Sequence, residues 1–197
     1  KAIWVDGREH LMNKPRERTW IRKGVHHLPD AGTPDEPAYQ VRSLSFVSCL
    51  VNAGAVLHQR RLPRSAYFLW NDDYEFTTAL LKHGIGYYVP SSQVVHKTRV
   101  FGSSDADPGE RFYNEVRNKL WLLRFSCGNF SAAELVEFLL KTVRRWGLTW
   151  IRAKDRALIE DCLCRGWHDG IRTNPMSNAD VFRDVPNVAK AITAVEG

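Results

Sequence analysis

The sequence predicts a mixed α/β chain whose second half is helical. Three observations carry this. Short β-type runs at Ala2-Ile3-Trp4-Val5, Ile85-Gly86-Tyr87-Tyr88-Val89 and Gln93-Val94-Val95-His96 are bounded by turn signals such as Asp6-Gly7 and Pro90. Between them, Phe76, Ala79, Leu80 and His83 fall at i, i+3, i+4 and i+7, the period of an amphipathic helix. Beyond residue 106, capping patterns open one helical stretch after another.

Composition bounds the rest. A chain of 197 residues, 44% hydrophobic and 25% charged, is long enough for one sizeable domain or a domain with an appendage. No apolar run approaches the roughly 20 residues that span a bilayer. The first residue is Lys1 and no signal-peptide pattern follows, so the expectation is a fragment or a processed product. Cys49, Cys127, Cys162 and Cys164 have neither metal nor disulfide spacing, and reduced thiols in a cytosolic compartment are the default. The net charge of +6 suggests nucleic acid, anionic lipid or a phosphorylated substrate, without a Lys/Arg block to choose among them.

In chain order, Ala2 to Val5 reads as a strand entering the Asp6-Gly7 turn. Residues 13 to 38, with Pro15, Pro29, Pro34 and Pro37, read as a long surface loop. His26 and His27 are adjacent and point to opposite faces of an extended segment, which disfavours a joint metal site. Val41 to Leu57, containing Asn52-Ala53-Gly54-Ala55, reads as a strand, a small-residue turn and a second strand or short helix. The small residues suit either tight packing or the approach of a ligand.

The chain is organised around Phe68-Leu69-Trp70-Asn71-Asp72-Asp73-Tyr74-Glu75-Phe76. Asp72 and Glu75 have capping-box spacing, and Gly84 stands where a left-handed C-cap would end the helix. A cap accounts for Asp72 and Glu75 and leaves Asp73 at the helix mouth beside Trp70 and Tyr74. A carboxylate half-shielded from water there suits a general base. Trp70 and Tyr74 fit a wall against a sugar ring and fit core aromatics equally well.

The order of small-residue loop, acidic helix start, Gly84, Tyr88-Val89-Pro90 and Val94-Val95-His96 resembles the C-terminal half of the catalytic domain of family 2 glycosyltransferases. Among these, Trp70-x-Asp72-Asp73-x-Glu75 is most like the bacterial galactofuranosyltransferases. The resemblance covers roughly residues 41 to 125. It implies the C-terminal part of a GT-A (nucleotide-diphospho-sugar transferase) domain over 1–105, with the nucleotide-binding half missing, and a helical C-terminal extension over 106–197. It implies Asp73 as base, His96 as a ligand of Mn²⁺ or Mg²⁺, and substrate contacts from Trp70, Asp72, Tyr74, Glu75 and Arg117. The family's Asp-x-Asp metal element precedes this region, and Asp105-Ala106-Asp107, lying after His96, reads as a helix cap. The expected reaction is inverting transfer of galactofuranose from a UDP-sugar to a lipid-linked cell-envelope glycan. The expected place is cytoplasmic, peripheral on the inner face of the plasma membrane, with no nucleic acid partner.

In the second half, Asp107-Pro108-Gly109-Glu110 opens a helix running from about Glu110 to Phe125. Tyr113, Arg117 and Asn118 on it match a Tyr-x-x-x-Arg-Asn pattern of the same family. Arg117 suits a diphosphate, and a solvated face with pairs such as Glu115 and Lys119 is the alternative. Ser131 to Glu134 caps a helix reaching Trp146-Gly147, and Trp150 to Cys164 continues similarly. These basic, tryptophan-bearing helices suit a membrane surface or a bundle packed on the catalytic part. Gly166, Gly170 and Asn174-Pro175 are expected to end the helical region, with little regular structure after Met176 apart from a short terminal helix. The alternatives to galactofuranosyl transfer are a rhamnosyltransferase using a dTDP-sugar, or a non-catalytic basic module binding membrane or nucleic acid. Steep salt dependence would mark the latter.

Overall fold

The computed structural model describes residues 1–11, 14–15, 27–28, 31–97 and 107–197, and the chain is mixed α/β with helix predominating. Strand β1 (Ala2–Ile3) pairs in parallel with β5 (Val94–Val95), Ala2 opposite Val94 and Ile3 opposite Val95. After Ile3 the chain turns through Gly7, whose φ of +84° suits a residue without Cβ, and comes back so that Glu9 bridges Ile3.

A second sheet is antiparallel, in the order β2 (His27–Leu28), β3 (Ala38–Val41), β4 (Gly86–Tyr88). All four β3 residues are buried, and Tyr39, Val41, Leu81 and Tyr88 form a small core there. The expected single loop over 13 to 38 therefore contains β2 and the start of β3, while residues 12–13, 16–26 and 29–30 lie outside the described residues.

Past β3 the chain is irregular until α1 (Ala53–Gln59), whose N-terminus is satisfied by Asn52 Oδ1 accepting from Ala55 N at 3.2 Å. Helix α2 (Asp72–His83) departs from expectation at both ends. Its N-cap is Asn71, in the left-handed region, so Asp72 is the first helical residue. Gly84 is extended, with φ −103° and ψ 177°, and is no left-handed cap.

Asp105 and Ala106 lie outside the described residues, and Asp107 does not cap the next helix. Gly109 has φ +55°, which breaks right-handed helix, so Gly109–Arg111 forms a 3₁₀ turn and α3 runs Phe112–Phe125. Helix α4 (Ala132–Arg152) has the expected capping box, Ser131 N donating to Glu134 Oε2 at 2.8 Å and Glu134 N to Ser131 Oγ at 3.3 Å. It runs through Gly147. Helix α5 (Arg156–Arg172) is capped by Asp155 and runs through Gly166 and Gly170.

Those two glycines are packing residues, not terminators. A Cβ on Gly166 would lie 2.8 Å from the Tyr113 carbonyl oxygen, and one on Gly170 2.7 Å from Leu120 Cβ. Their absence of side chain lets α5 close on α3 around Phe112, Val116, Ile159 and Cys162. After α6 (Asn178–Val181), the terminal helix is a full α7 (Pro186–Glu196).

The helical segment grips the rest of the chain. Arg42, just past β3, donates to Glu134 (2.8 Å), to the Thr78 carbonyl (2.6 Å) and to the Asn129 carbonyl. At the C-terminus, Glu196 accepts from Leu62 N at 3.2 Å and from Asn178 Nδ2 at 2.9 Å, and Asn178 Oδ1 accepts from Ser65 N at 2.7 Å.

Candidate functional site

The acidic stretch sits on a turn of unusual geometry. Phe68, Trp70 and Asn71 all have positive φ, at 59°, 65° and 63°, and none is glycine. Phe68 is 82% exposed, so no packing of its own ring explains the conformation. Asp72 and Asp73 follow immediately as the first residues of α2.

Asp73 is half-buried against the segment leading from β3. Its Oδ2 faces Phe46 N at 3.4 Å, the Ser45 hydroxyl bonds to it, and its Oδ1 accepts from Tyr74 N at 2.7 Å. Burial and the negative charge of Asp72 push its carboxyl above the usual range, against these bonds. Burial first, and then the negative charge of Asp73 itself, push the Cys49 thiol up, which places Cys49 in the neighbourhood. Asp73 has no ion pair among the described residues. Asp72 is half-buried and makes neither hydrogen bond nor ion pair among them.

Three expected substrate contacts go elsewhere. Glu75 is neither a cap nor a group facing an open cleft. It is fully buried, paired with Arg61 and with Arg64 at 3.4 Å, and bonded by the Ser126 hydroxyl. Tyr74 is a core aromatic, stacked on Phe130 and Phe138 with ring centroids 5.8 Å from each. Arg117 does not reach into open space. Its guanidinium lies 4.4 Å from the Trp121 ring centroid and donates to the Tyr67 carbonyl at 3.2 Å. Trp70 is half-buried on the turn itself, its carbonyl held by Asn118 at 2.8 Å.

The Glu115–Lys119 pair expected on a solvated face exists, at 2.8 Å, but is buried, with Arg145 3.2 Å from the same carboxylate.

His96, just past β5, sits in a different set of contacts. Its backbone N–H donates to the Ile3 carbonyl at 2.8 Å, and its ring lies 5.8 Å from Trp4 and 4.9 Å from His10, centroid to centroid. Its Nδ1 is buried with no hydrogen-bond partner among the described residues. No hydrogen bond or ring contact joins it to Asp73. As a test of the expected metal, His96 offers a nitrogen, yet no group of three His, Cys, Asp or Glu side chains is placed to hold an ion among the described residues. Mn²⁺ or Mg²⁺ at a diphosphate needs carboxylate oxygens, so these residues do not make a complete metal site.

Sequence reasoning missed Ser45 and Cys49 as neighbours of Asp73 and Arg61 and Arg64 as partners of Glu75, and it gave Asn118 no role beyond its place in the Tyr-x-x-x-Arg-Asn pattern. The Arg60-Arg61-x-x-Arg64 cluster ahead of the acidic stretch is the signal that could have pointed to the partners of Glu75.

Elsewhere, α4 presents Val136, Leu139, Leu140, Val143, Trp150 and Ile151 to solvent along one face. Arg144 flanks this face and is exposed, as are Arg152 and Lys154 at the helix end. No helix among the described residues is long and apolar enough to cross a membrane. Comparison with protein-family models, with curated proteins and with solved structures found no match.

Proposed function

We propose that this chain carries the acceptor side of an inverting glycosyltransferase, with Asp73 as general base. The observation that supports it is the half-buried Asp73 carboxylate, raised by burial and by Asp72 and without a cationic partner among the described residues. Such a group is a stronger base than a solvated carboxylate, and it stands at a helix mouth where an acceptor can enter. The acceptor hydroxyl gives its proton to Asp73 as its oxygen attacks the anomeric carbon and the nucleoside diphosphate leaves. Asp72, half-buried and without an ion pair among the described residues, is the contact for acceptor hydroxyls, with Trp70 and the exposed Phe68 at the rim.

The resemblance supplies the donor, UDP-galactofuranose, with a dTDP-rhamnose donor as the runner-up. A divalent ion bound partly by His96 would require further oxygen ligands from beyond the described residues, and would supply charge stabilisation to the leaving diphosphate. The lipid-linked acceptor and the peripheral position on the membrane's inner face are supported by the apolar face of α4 with its basic flank. A helix with exposed Leu, Val and Trp beside Arg and Lys has the chemistry of the lipid interface.

The test is Asp73→Asn in the full-length protein, assayed for sugar transfer to a lipid-linked acceptor with each donor. The amide matches the carboxylate in size and cannot take the proton, so turnover should fall by about 10²–10⁴-fold with donor affinity kept. Retention of more than a tenth of the turnover would remove Asp73 as base.

A further inference from the structure

One face of α3 is given over to holding the strained turn. Asn118 is fully buried, and its Nδ2 donates to the carbonyls of Tyr67 (2.9 Å), Leu69 (2.9 Å) and Trp70 (2.8 Å). An amide has two N–H bonds, so at least one is shared. Arg117 donates through Nε to Asn118 Oδ1 at 3.0 Å, which fixes the orientation of that amide, and to the carbonyls of Tyr67 and Ala66 at 3.2 and 3.4 Å. One helical turn away from Lys119, Glu115 accepts from Asn71 Nδ2 at 3.0 Å and is itself held by Lys119 and Arg145. Backbone carbonyls 66, 67, 69 and 70 and the side chain of residue 71 are thus all engaged by three residues of one helix.

Non-glycine residues in such conformations are strained and persist only where their surroundings over-determine them. We propose that Glu115, Arg117 and Asn118 are positioning residues that keep the 66–71 turn in its strained form, so that Asp73 stands half-buried against Ser45 and Phe46 at the first turn of α2. Released, Phe68, Trp70 and Asn71 relax toward negative φ, the start of α2 swings away from Ser45 and Phe46, and water reaches the carboxylate. This deepens, and rests on, the reading of Asp73 as base.

The experiment is a carboxyl-¹³C NMR titration of the whole chain labelled at aspartate, with the Asp73 signal identified by its loss in Asp73→Asn. Three variants are compared. Asn118→Ala removes the hub. Asn71→Gly removes the bond to Glu115 while suiting the left-handed backbone. Ile159→Val trims the α3–α5 core away from the turn. The Asp73 midpoint should fall toward the ordinary carboxylate range in Asn118→Ala and Asn71→Gly and stay raised in Ile159→Val. A merely structural role lowers thermal stability without moving Asp73, and equal midpoints in all variants overturn the inference. Should Asn118→Ala fail to fold, Asn71→Gly against Ile159→Val decides by the same criterion.

In the full-length protein, Asn71→Gly should lower kcat by about a hundredfold and leave the donor KM unchanged. An Asp73 midpoint that moves while kcat does not would overturn Asp73 as base and leave the positioning role standing.

Discussion

Glu75 and Arg61 form an ion pair whose ends are buried to different depths, and this predicts an asymmetry. Glu75 is fully enclosed, whereas the side chains of Arg61 and Arg64 keep 25% and 33% of their exposure. Replacing Glu75 by Gln leaves two guanidinium groups able to turn to water, and the amide keeps the shape and a bond to Ser126. The loss is that of charge-assisted bonds, about 1.5–3 kcal/mol. Replacing Arg61 by Met leaves the enclosed carboxylate with Arg64 alone, 3.4 Å away. Stranding a buried charge in this way costs about 3–5 kcal/mol. In a chain of this size each kcal/mol moves the melting midpoint by roughly 2–4 °C, so losses of roughly 3–12 °C and 6–20 °C are expected. The double variant leaves no stranded charge and should lose less than the sum. Scanning calorimetry at pH 7 measures all three. If Arg61→Met is the milder change, or if the two losses simply add, Glu75 is not the enclosed partner of that pair and the reasoning fails.

Further outcomes follow from the packing, the surface and the charges. Gly166→Ala should lower the urea midpoint although alanine favours helix by about 1 kcal/mol, because its Cβ would stand 2.8 Å from the Tyr113 carbonyl and 2.9 Å from Val116 Cβ; a higher midpoint would contradict the close α3–α5 contact. Leu140→Glu with Val143→Glu, at positions each 68% exposed, should weaken binding to phosphatidylglycerol vesicles about tenfold or more and leave thermal stability unchanged; equal partitioning would discard α4 as the lipid-facing element. Burial alone would push the Glu115 carboxyl up, but Lys119 and Arg145 outweigh it and hold it below the usual range. Its stabilising contribution is therefore complete above the unfolded value near about 4.3 and is lost as pH falls through the lower folded value. The melting midpoint should drop in that acid window, less steeply in Glu115→Gln, and identical acid limbs would rule Glu115 out as a cause.

The parts of the fold legible in the sequence were those set by local chemistry. The period of Phe76, Ala79 and Leu80 marks α2, and Ser131 with Glu134 marks the start of α4, because caps and amphipathic faces are decided within a turn or two of chain. Asp72 and Glu75 show the limit of such signals. Their spacing is that of a capping box, yet Asp72 lies one residue too late to cap, and Glu75 turns inward to Arg61 and Arg64. Spacing says nothing of which distant cation an inward acid meets. Gly147, Gly166 and Gly170 were misread as terminators for a related reason. A mid-helix glycine costs only about 1 kcal/mol against alanine, and the closeness of α3 that repays it at Gly166 and Gly170 is a tertiary fact. Asp73 was legible as a candidate; of the three α3 residues that hold its turn, Arg117 and Asn118 were visible within a Tyr-x-x-x-Arg-Asn pattern and Glu115 as the partner of Lys119, none of them in that role.

The carboxylates around this turn are sorted by what faces them. Glu75 and Glu115 point inward and each meets two cationic side chains, Arg61 with Arg64 and Lys119 with Arg145. At Glu115 the cations outweigh burial and hold the carboxyl below the usual range, which makes it a poor base. Asp73 is the half-buried acid of the helix start for which the described residues supply only neutral donors, from Ser45, Phe46 and Tyr74, and the charge that bears on it is the like charge of Asp72. Such an arrangement is unfavourable for the fold at neutral pH, since the ionised form is penalised in the folded chain and relieved on unfolding. It persists because the matched pairs and Asn118 leave the turn no cheaper geometry. On the proposed reading the same imbalance is what makes Asp73 reactive: replacing a neutral neighbour such as Ser45 with a cation would relieve the fold, and would weaken the base by the same interaction.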